Sequence, residues 1–273
     1  MKKNMPAQGW SASGGKKILF ASFLIIVLAF AFSLNFTFAK NNKDTDIPEQ
    51  DGVYDVPGHP ELKVRVFVHK IGGKPAPTPV WGCGLSDPDS EAVVDKEVWK
   101  LPSEWTYNLN PGSAPSSIGS GNVATITDNA FRVWTDVINK KVKIFRGADT
   151  LITRKGFDGK NIITWGSASG SALGVTYIWY YPSTGLVAEL DTILNTKFFW
   201  MWSGGDSTCA YTNSYDAQGI LTHELGHWFG LDDEYTSEYQ NNTMYGYGYK
   251  RDAKDDTLTT GDIEGVQAIY PVK

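Results

Sequence analysis

Apolar residues recur along this chain with two different periods. Ile126, Ala130, Val133, Trp134 and Val137, all between Val123 and Ile138, fall at three- and four-residue intervals, which predicts an amphipathic helix whose stripe faces a core. Beyond it come four β-rich runs separated by glycine-containing turns, at Val142 to Phe145, Ile162 to Trp165, Leu173 to Tyr181 and Val187 to Asn195, the last alternating apolar and polar residues. Trp105 to Asn110 predicts a short strand that ends at Pro111, with Gly112 and a Ser and Gly cluster marking a loop. Upstream, Lys63 to His69 alternates charged and apolar residues and predicts one more strand, with His69 on its polar face. Asp216 stands where a helix cap belongs, and Leu221 and Leu225 share the apolar face of the helix it would start.

Ile18 to Leu34 has no period, only an unbroken run without charge, preceded by Lys2, Lys3, Lys16 and Lys17 and no acid. That predicts an export signal covering residues 1–39, cut after Ala39, or an N-terminal anchor if it stays uncut. Its removal takes four lysines from the 25 basic residues and leaves 21 against 30 acidic ones, so the net charge moves from -5 to -9. An acidic mature protein argues against a nucleic-acid or anionic-membrane surface. With 41% hydrophobic and 20% charged residues among 273, the composition is that of a globular protein of one large or two smaller domains, and excludes a disordered one.

Residues 40–96 differ in composition from the rest of the chain. They begin with a polar segment, Lys40 to Gln50, and carry seven prolines between Pro48 and Pro88, which predicts a linker and a small N-terminal pre-domain. It reads equally as a propeptide, a tether or a piece packed on the domain of residues 97–273.

The chemistry concentrates in His223-Glu224-Leu225-Gly226-His227-Trp228-Phe229-Gly230-Leu231-Asp232-Asp233. Residues four apart share a helix face, so His223 and His227 can offer two imidazoles to one zinc ion, with Glu224 beside a metal-bound water. Zinc lowers the pKa of that water to about 7, and a carboxylate can take its proton as it attacks a carbonyl carbon. Gly230 stands where a helix ending in the left-handed conformation favours glycine, and the reversal would bring Asp233 back to the metal as a third ligand. Asp232, one residue earlier, is the competing candidate.

The stretch resembles the metzincin metallopeptidases, whose motif is H-E-x-x-H-x-x-G-x-x-H, in the snapalysin-like form that carries Asp at the last position. The resemblance implies His223, His227 and Asp233 as zinc ligands, Glu224 as general base, and Met244 in Asn242-Thr243-Met244-Tyr245-Gly246 as the methionine floor beneath the metal. Metzincins that use a tyrosine near the metal carry it two residues after that Met, where this chain has Gly246, so no tyrosine is assigned. Leu258 to Tyr270 resembles the last matrixin helix, capped by Thr259 or Thr260. The implied fold is α+β, a twisted mixed sheet with three main helices and a zinc cleft below it. Leu173 to Tyr181 is the expected edge strand, along which an extended peptide would pair.

Cys83 and Cys209 are the only cysteines, and in an exported chain a disulfide between them is the first reading. The second is a cysteine switch, since Cys83-Gly84-Leu85-Ser86-Asp87 distantly resembles the matrixin propeptide segment that blocks its zinc. Asp149, Asp158 and Asp206 are candidate calcium ligands by the same resemblance, or solvated turns. No histidine lies between His69 and His223, so the second, structural zinc of matrixins is not expected. The activity implied is that of a secreted, monomeric zinc endopeptidase acting on a protein or peptide substrate. The alternative is a secreted metzincin-fold binding or adhesion module without cleavage.

Overall fold

In the computed structural model, which describes residues 47–72, 87–204 and 213–272, the strand-like runs become an eight-stranded mixed sheet. Its path uses β1 (Gly52–Val56), β2 (His59–Ile71), β3 (Glu104–Leu109), β4 (Lys143–Arg146), β5 (Ile162–Gly166), β6 (Ala172–Tyr181) and β7 (Leu186–Asn195). The spatial order is β1-β2-β6-β7-β5-β3-β4. A further parallel pair joins β8 (Trp200–Met201) to β9 (Tyr215–Asp216), and β10 (Tyr247–Gly248) pairs with the end of β2. Three helices complete the domain: α1 (Val123–Val137), α2 (Ala217–Trp228) and α3 (Thr260–Ile269). The α+β class with a mixed sheet is the expected one.

The register stems from the connections. Helix α1 carries the chain from β3 to β4 and lets them run parallel, as do β3 with β5 and β5 with β7. The link from β6 to β7 is a tight turn through Gly185, whose φ of +67° suits glycine, and these two strands are antiparallel. One face of the sheet packs on the helices, where Trp134, Leu225, Trp228 and Phe229 share a core with Phe67, Leu173 and Leu194. The other buries Val64, Val66 and Val68 of β2 with Val175, Tyr177 and Trp179 of β6. Both faces are therefore apolar in the centre, and β5 is buried at every residue.

Two expectations change. Leu173 to Tyr181 is not an edge: β6 lies between β7 and β2, and β2 pairs along its outer side from Lys63 opposite Tyr180 to Lys70 opposite Ala172. Strands β1 and β2, from the segment read as linker and pre-domain, are thus part of this same sheet. Nor does His69 lie on a solvated face, since it is 0% exposed. The valines of β2 take one core, so Arg65, Phe67 and His69 turn to the helix side, where α2 lies beneath them. The export segment, Cys83, Cys209 and Asp206 lie outside the described residues.

Pairing on this scale has a measurable signature. In hydrogen exchange, the amides of residues 63–70 that bond to β6 should be protected to the same degree as those joining β6 to β7. Rapid exchange along β2 with slow exchange in β7 would show that β2 is not part of the stable sheet.

Candidate metal centre

Helix α2 is built to hold its register. Asp216 caps it, accepting a hydrogen bond from the Gly219 amide at 2.6 Å, as the sequence predicts. At the other end Gly230 has φ +98°, and its amide bonds to His227 O at 3.0 Å while Leu231 N bonds to Gly226 O at 3.1 Å. This is a Schellman ending, which satisfies two helix carbonyls and reverses the chain. A Cβ at Gly230 would also crowd the Trp99 carbonyl.

The reversal brings Asp233 over the helix. Its Oδ1 lies 3.2 Å from His223 Nε2 and 3.5 Å from His227 Nε2, and all three side chains are buried. Two backbone bonds hold it there: Glu234 N to Met244 O and Gly246 N to Glu234 O, both 2.9 Å. Asp232 faces elsewhere, accepting from Arg65 Nη2 at 3.3 Å and from the Asp233 amide. Of the two aspartates, only Asp233 joins the histidines.

The imidazoles are fixed by their far nitrogens. His223 Nδ1 lies 2.7 Å from Thr243 O and His227 Nδ1 lies 2.9 Å from Leu231 O. A carbonyl only accepts, so each Nδ1 carries a hydrogen and donates it, leaving Nε2 as the free position. Apart from one another, His223 Nε2, His227 Nε2 and Asp233 Oδ1 are buried without hydrogen-bond partners. Such orphaned atoms are costly unless something coordinates them, and two imidazole nitrogens with a carboxylate oxygen at this separation suit a tetrahedral zinc ion. The donor set fits the metal.

Electrostatics agree. Burial pushes His227 down to about 3, leaving its ring neutral and its lone pair available. Burial also opposes a proton on His223, but the hydrogen bond and charge of Asp233 raise it to about 9. Asp233, although buried, is held well below the usual carboxylate range by the two histidines. These shifts make a proton on His223, beside the Asp233 carboxylate, the competitor that a metal ion would have to displace.

Glu224 is wholly buried, and burial pushes it up to about 7 against the pull of His223 and Thr176. Its Oε1 has no partner, whereas Oε2 accepts from Thr176 Oγ1 at 2.6 Å. Thr176 Oγ1 lies 2.7 Å from Thr192 Oγ1, which accepts from Trp228 Nε1 at 2.9 Å. With the indole able only to donate, the protons of this chain all run toward Glu224. A side chain on Gly174 would collide with the carboxylate.

Met244 lies under the helix, where a Cβ on Gly226 would overlap its sulfur. The methionine turn is tied to α3 through Asp262, whose carboxylate accepts from the amides of Thr243 (2.9 Å), Met244 (3.3 Å) and Thr259 (2.9 Å). Thr259 is the cap, in a capping box with Asp262.

Sequence reasoning missed four residues. Thr176 and Thr192 lie on strands with no local mark of function. Tyr235 donates to Asp233 Oδ2 at 2.8 Å, and its ring packs where Gly246 lacks a side chain. The fourth is His69, whose ring centroid lies 3.7 Å from that of His223. Of the candidate calcium ligands, Asp149 accepts from Arg146 and Asp158 from the Lys160 amide; neither falls in a metal-type cluster among the described residues.

A buried two-histidine, one-carboxylate set beside a second buried carboxylate, on an α+β sheet, is the equipment of a metal-dependent hydrolase. The family model for matrixin, a peptidase family, matches residues 98–271, and the chain belongs to that family. Membership makes it a metallopeptidase-type hydrolase, with a catalytic zinc implied and proteins or peptides as substrates. Comparison with curated proteins finds no match.

Zinc bound at His223 would displace the proton that Asp233 stabilises there, raising the imidazole to about 9. Below that pH each bound ion should release a proton, and apparent zinc affinity should climb roughly tenfold per unit between about pH 6 and pH 8. Competition with a chromophoric chelator measures this; an affinity flat across the range would contradict the shared proton.

Proposed function

We propose that the protein is an exported zinc-dependent endopeptidase in which Glu224 is the general base. The observation that carries this reading is the convergence of three unpartnered ligand atoms, from His223, His227 and Asp233, in a buried site that also contains the free Oε1 of Glu224. His223, His227 and Asp233 would hold a zinc ion, which would supply a Lewis acid for the scissile carbonyl and lower the pKa of a water to about 7. Glu224 takes the proton of the attacking water on Oε1 and returns it to the leaving amine. The threonine pair holds Oε2 so that Oε1 stays free. Asp233 brings a negative charge where most metzincins have a neutral imidazole, which would make a bound metal a weaker Lewis acid but retain it electrostatically; Tyr235 draws on that charge through Oδ2.

Residues 1–39 support export by composition, with an uncut anchor as the other outcome, and the acidic mature chain suits an extracellular monomer acting on protein or peptide. The competing function, a binding module that keeps the fold without cleavage, leaves the Trp228, Thr192, Thr176 chain with nothing to orient.

The test is a casein digest by protein recovered after export. Glu224→Gln should keep one zinc per chain and lose roughly 10²–10⁴-fold in cleavage rate. Equal cleavage by both proteins would remove the activity from this site, and zinc without cleavage in either would favour the binding module. By elemental analysis Asp233→Ala should lose the metal, Asp233→His should retain it, and Asp232→Ala should not alter it.

The threonine chain has its own signature. Thr176 stabilises ionised Glu224, so Thr176→Val should raise the carboxyl pKa and move the acid limb of kcat/KM upward by about one pH unit. An unmoved limb would show that Thr176 only packs.

A further inference from the structure

We infer that Asp51 is a positioning residue for the metal: it competes with Asp233 for the one hydrogen of the Tyr235 hydroxyl, and so returns to Asp233 the charge with which that side chain would hold a cation. The inference rests on the metal-binding reading above and adds to it a residue from the bend before β1.

The contact has three members. The Tyr235 hydroxyl oxygen lies 2.8 Å from Asp233 Oδ2 and 3.0 Å from Asp51 Oδ2. A phenol has one hydrogen to donate and a carboxylate has none to give back, so only one of the two bonds is fully made at a time. Burial, and then the charges of Asp233 and Asp51, push the phenol far above its ordinary value. The hydrogen therefore stays on the hydroxyl, and the two aspartates divide it between them.

Each member is also held from elsewhere. Asp51 Oδ1 accepts from Arg65 Nη1, on the guanidinium that pairs with Glu97 and Asp232 as well. The Tyr235 ring lies against Gly246, where a Cβ would come within 2.4 Å of its Cε1, and it meets the Tyr247 ring edge-on at 5.5 Å. Asp233 Oδ1 faces the two Nε2 atoms of His223 and His227. What is left to turn is the hydroxyl hydrogen.

The direction follows from charge. With the hydrogen on Asp233 Oδ2, electron density is drawn away from Oδ1, the oxygen turned toward the imidazoles, and a cation there would be held less strongly. With the hydrogen on Asp51, Asp233 keeps its whole charge for the ion. A cation favours the second arrangement because it makes Asp233 the poorer acceptor. Asp51 also lies near enough to add, after burial and Asp233, to the upward push on the Glu224 carboxyl, so a plain Coulombic attraction for the cation acts beside the hydrogen bond. The two effects are separable, since only one of them runs through the phenol.

A double-mutant cycle on zinc affinity, read by chelator competition on chains that retain residues 47–72, tests this. Asp51 lies on a half-exposed bend, where substitution leaves the sheet intact. In Asp51→Asn the amide oxygen goes to Arg65 and the amide hydrogens face the phenol oxygen, which sends the hydroxyl hydrogen to Asp233. Zinc affinity should then fall about tenfold, the lower end of what partners of metal ligands contribute. In a Tyr235→Phe background the same substitution should change it by less than about twofold. Asp51→Ala should depend on Tyr235 in the same way. An equal fall in both backgrounds would show that Asp51 acts through space, and no fall with Tyr235 present would show that it does not act on the metal; either result overturns the proposal and leaves the metal site standing. A wild-type chain that binds no zinc would overturn both.

Discussion

The site depends on how α2 ends. Helical spacing alone places His223 and His227 on one face, but a third ligand from the same stretch needs the chain to turn back within a few residues. The Schellman ending at Gly230 does this, and the segment it releases serves three purposes at once. Leu231 N closes the helix, Leu231 O fixes the ring of His227, and two residues later Asp233 reaches both Nε2 atoms. A side chain at Gly230 would strain the left-handed backbone and press on Trp99 O, and all three would shift together.

The methionine turn plays the same part for His223. Thr243 O fixes its ring, the next residue puts sulfur against Gly226, and Asp262 binds the amides of both from the first turn of α3. A buried carboxylate with three amide donors is a strong anchor, since a hydrogen bond to a charged group contributes about 1.5–3 kcal/mol. The far nitrogen of each imidazole is taken by a backbone carbonyl, and the metal-facing one is left without a partner. Rigidity of this kind fixes the direction in which each Nε2 points.

What was legible in the sequence is what depends on local chemistry. Gly230 and the Asp216 cap are each explained by residues within four positions and are found as expected, and of the two threonines that could cap the last helix, Thr259 does. The α1 stripe and the strand runs were readable because their periods are short. The choice between Asp232 and Asp233 was not, because it turns on Arg65, 167 positions away in the sequence, which takes Asp232. Thr176, Thr192 and Tyr235 were invisible for the same reason. Their function lies in partners on other strands and loops, and threonine in a strand or tyrosine in a loop has no mark of its own.

β2 shows how a correct pattern can still mislead. The alternation from Lys63 to His69 does mean a strand, and the valines do face a core. Period-two patterning assigns residues to two faces but does not say that the polar one meets water. Here the face lies over α2 toward its end, so Arg65, Phe67 and His69 find partners there: an acidic cluster for the guanidinium, the His227 imidazole for the phenyl ring, and the His223 ring for His69. The interior place of β6, where an edge was expected, and the burial of His69 are therefore one fact. A strand that joins the sheet beside α2 lays alternate side chains, Phe67 and His69, on the histidines of that helix.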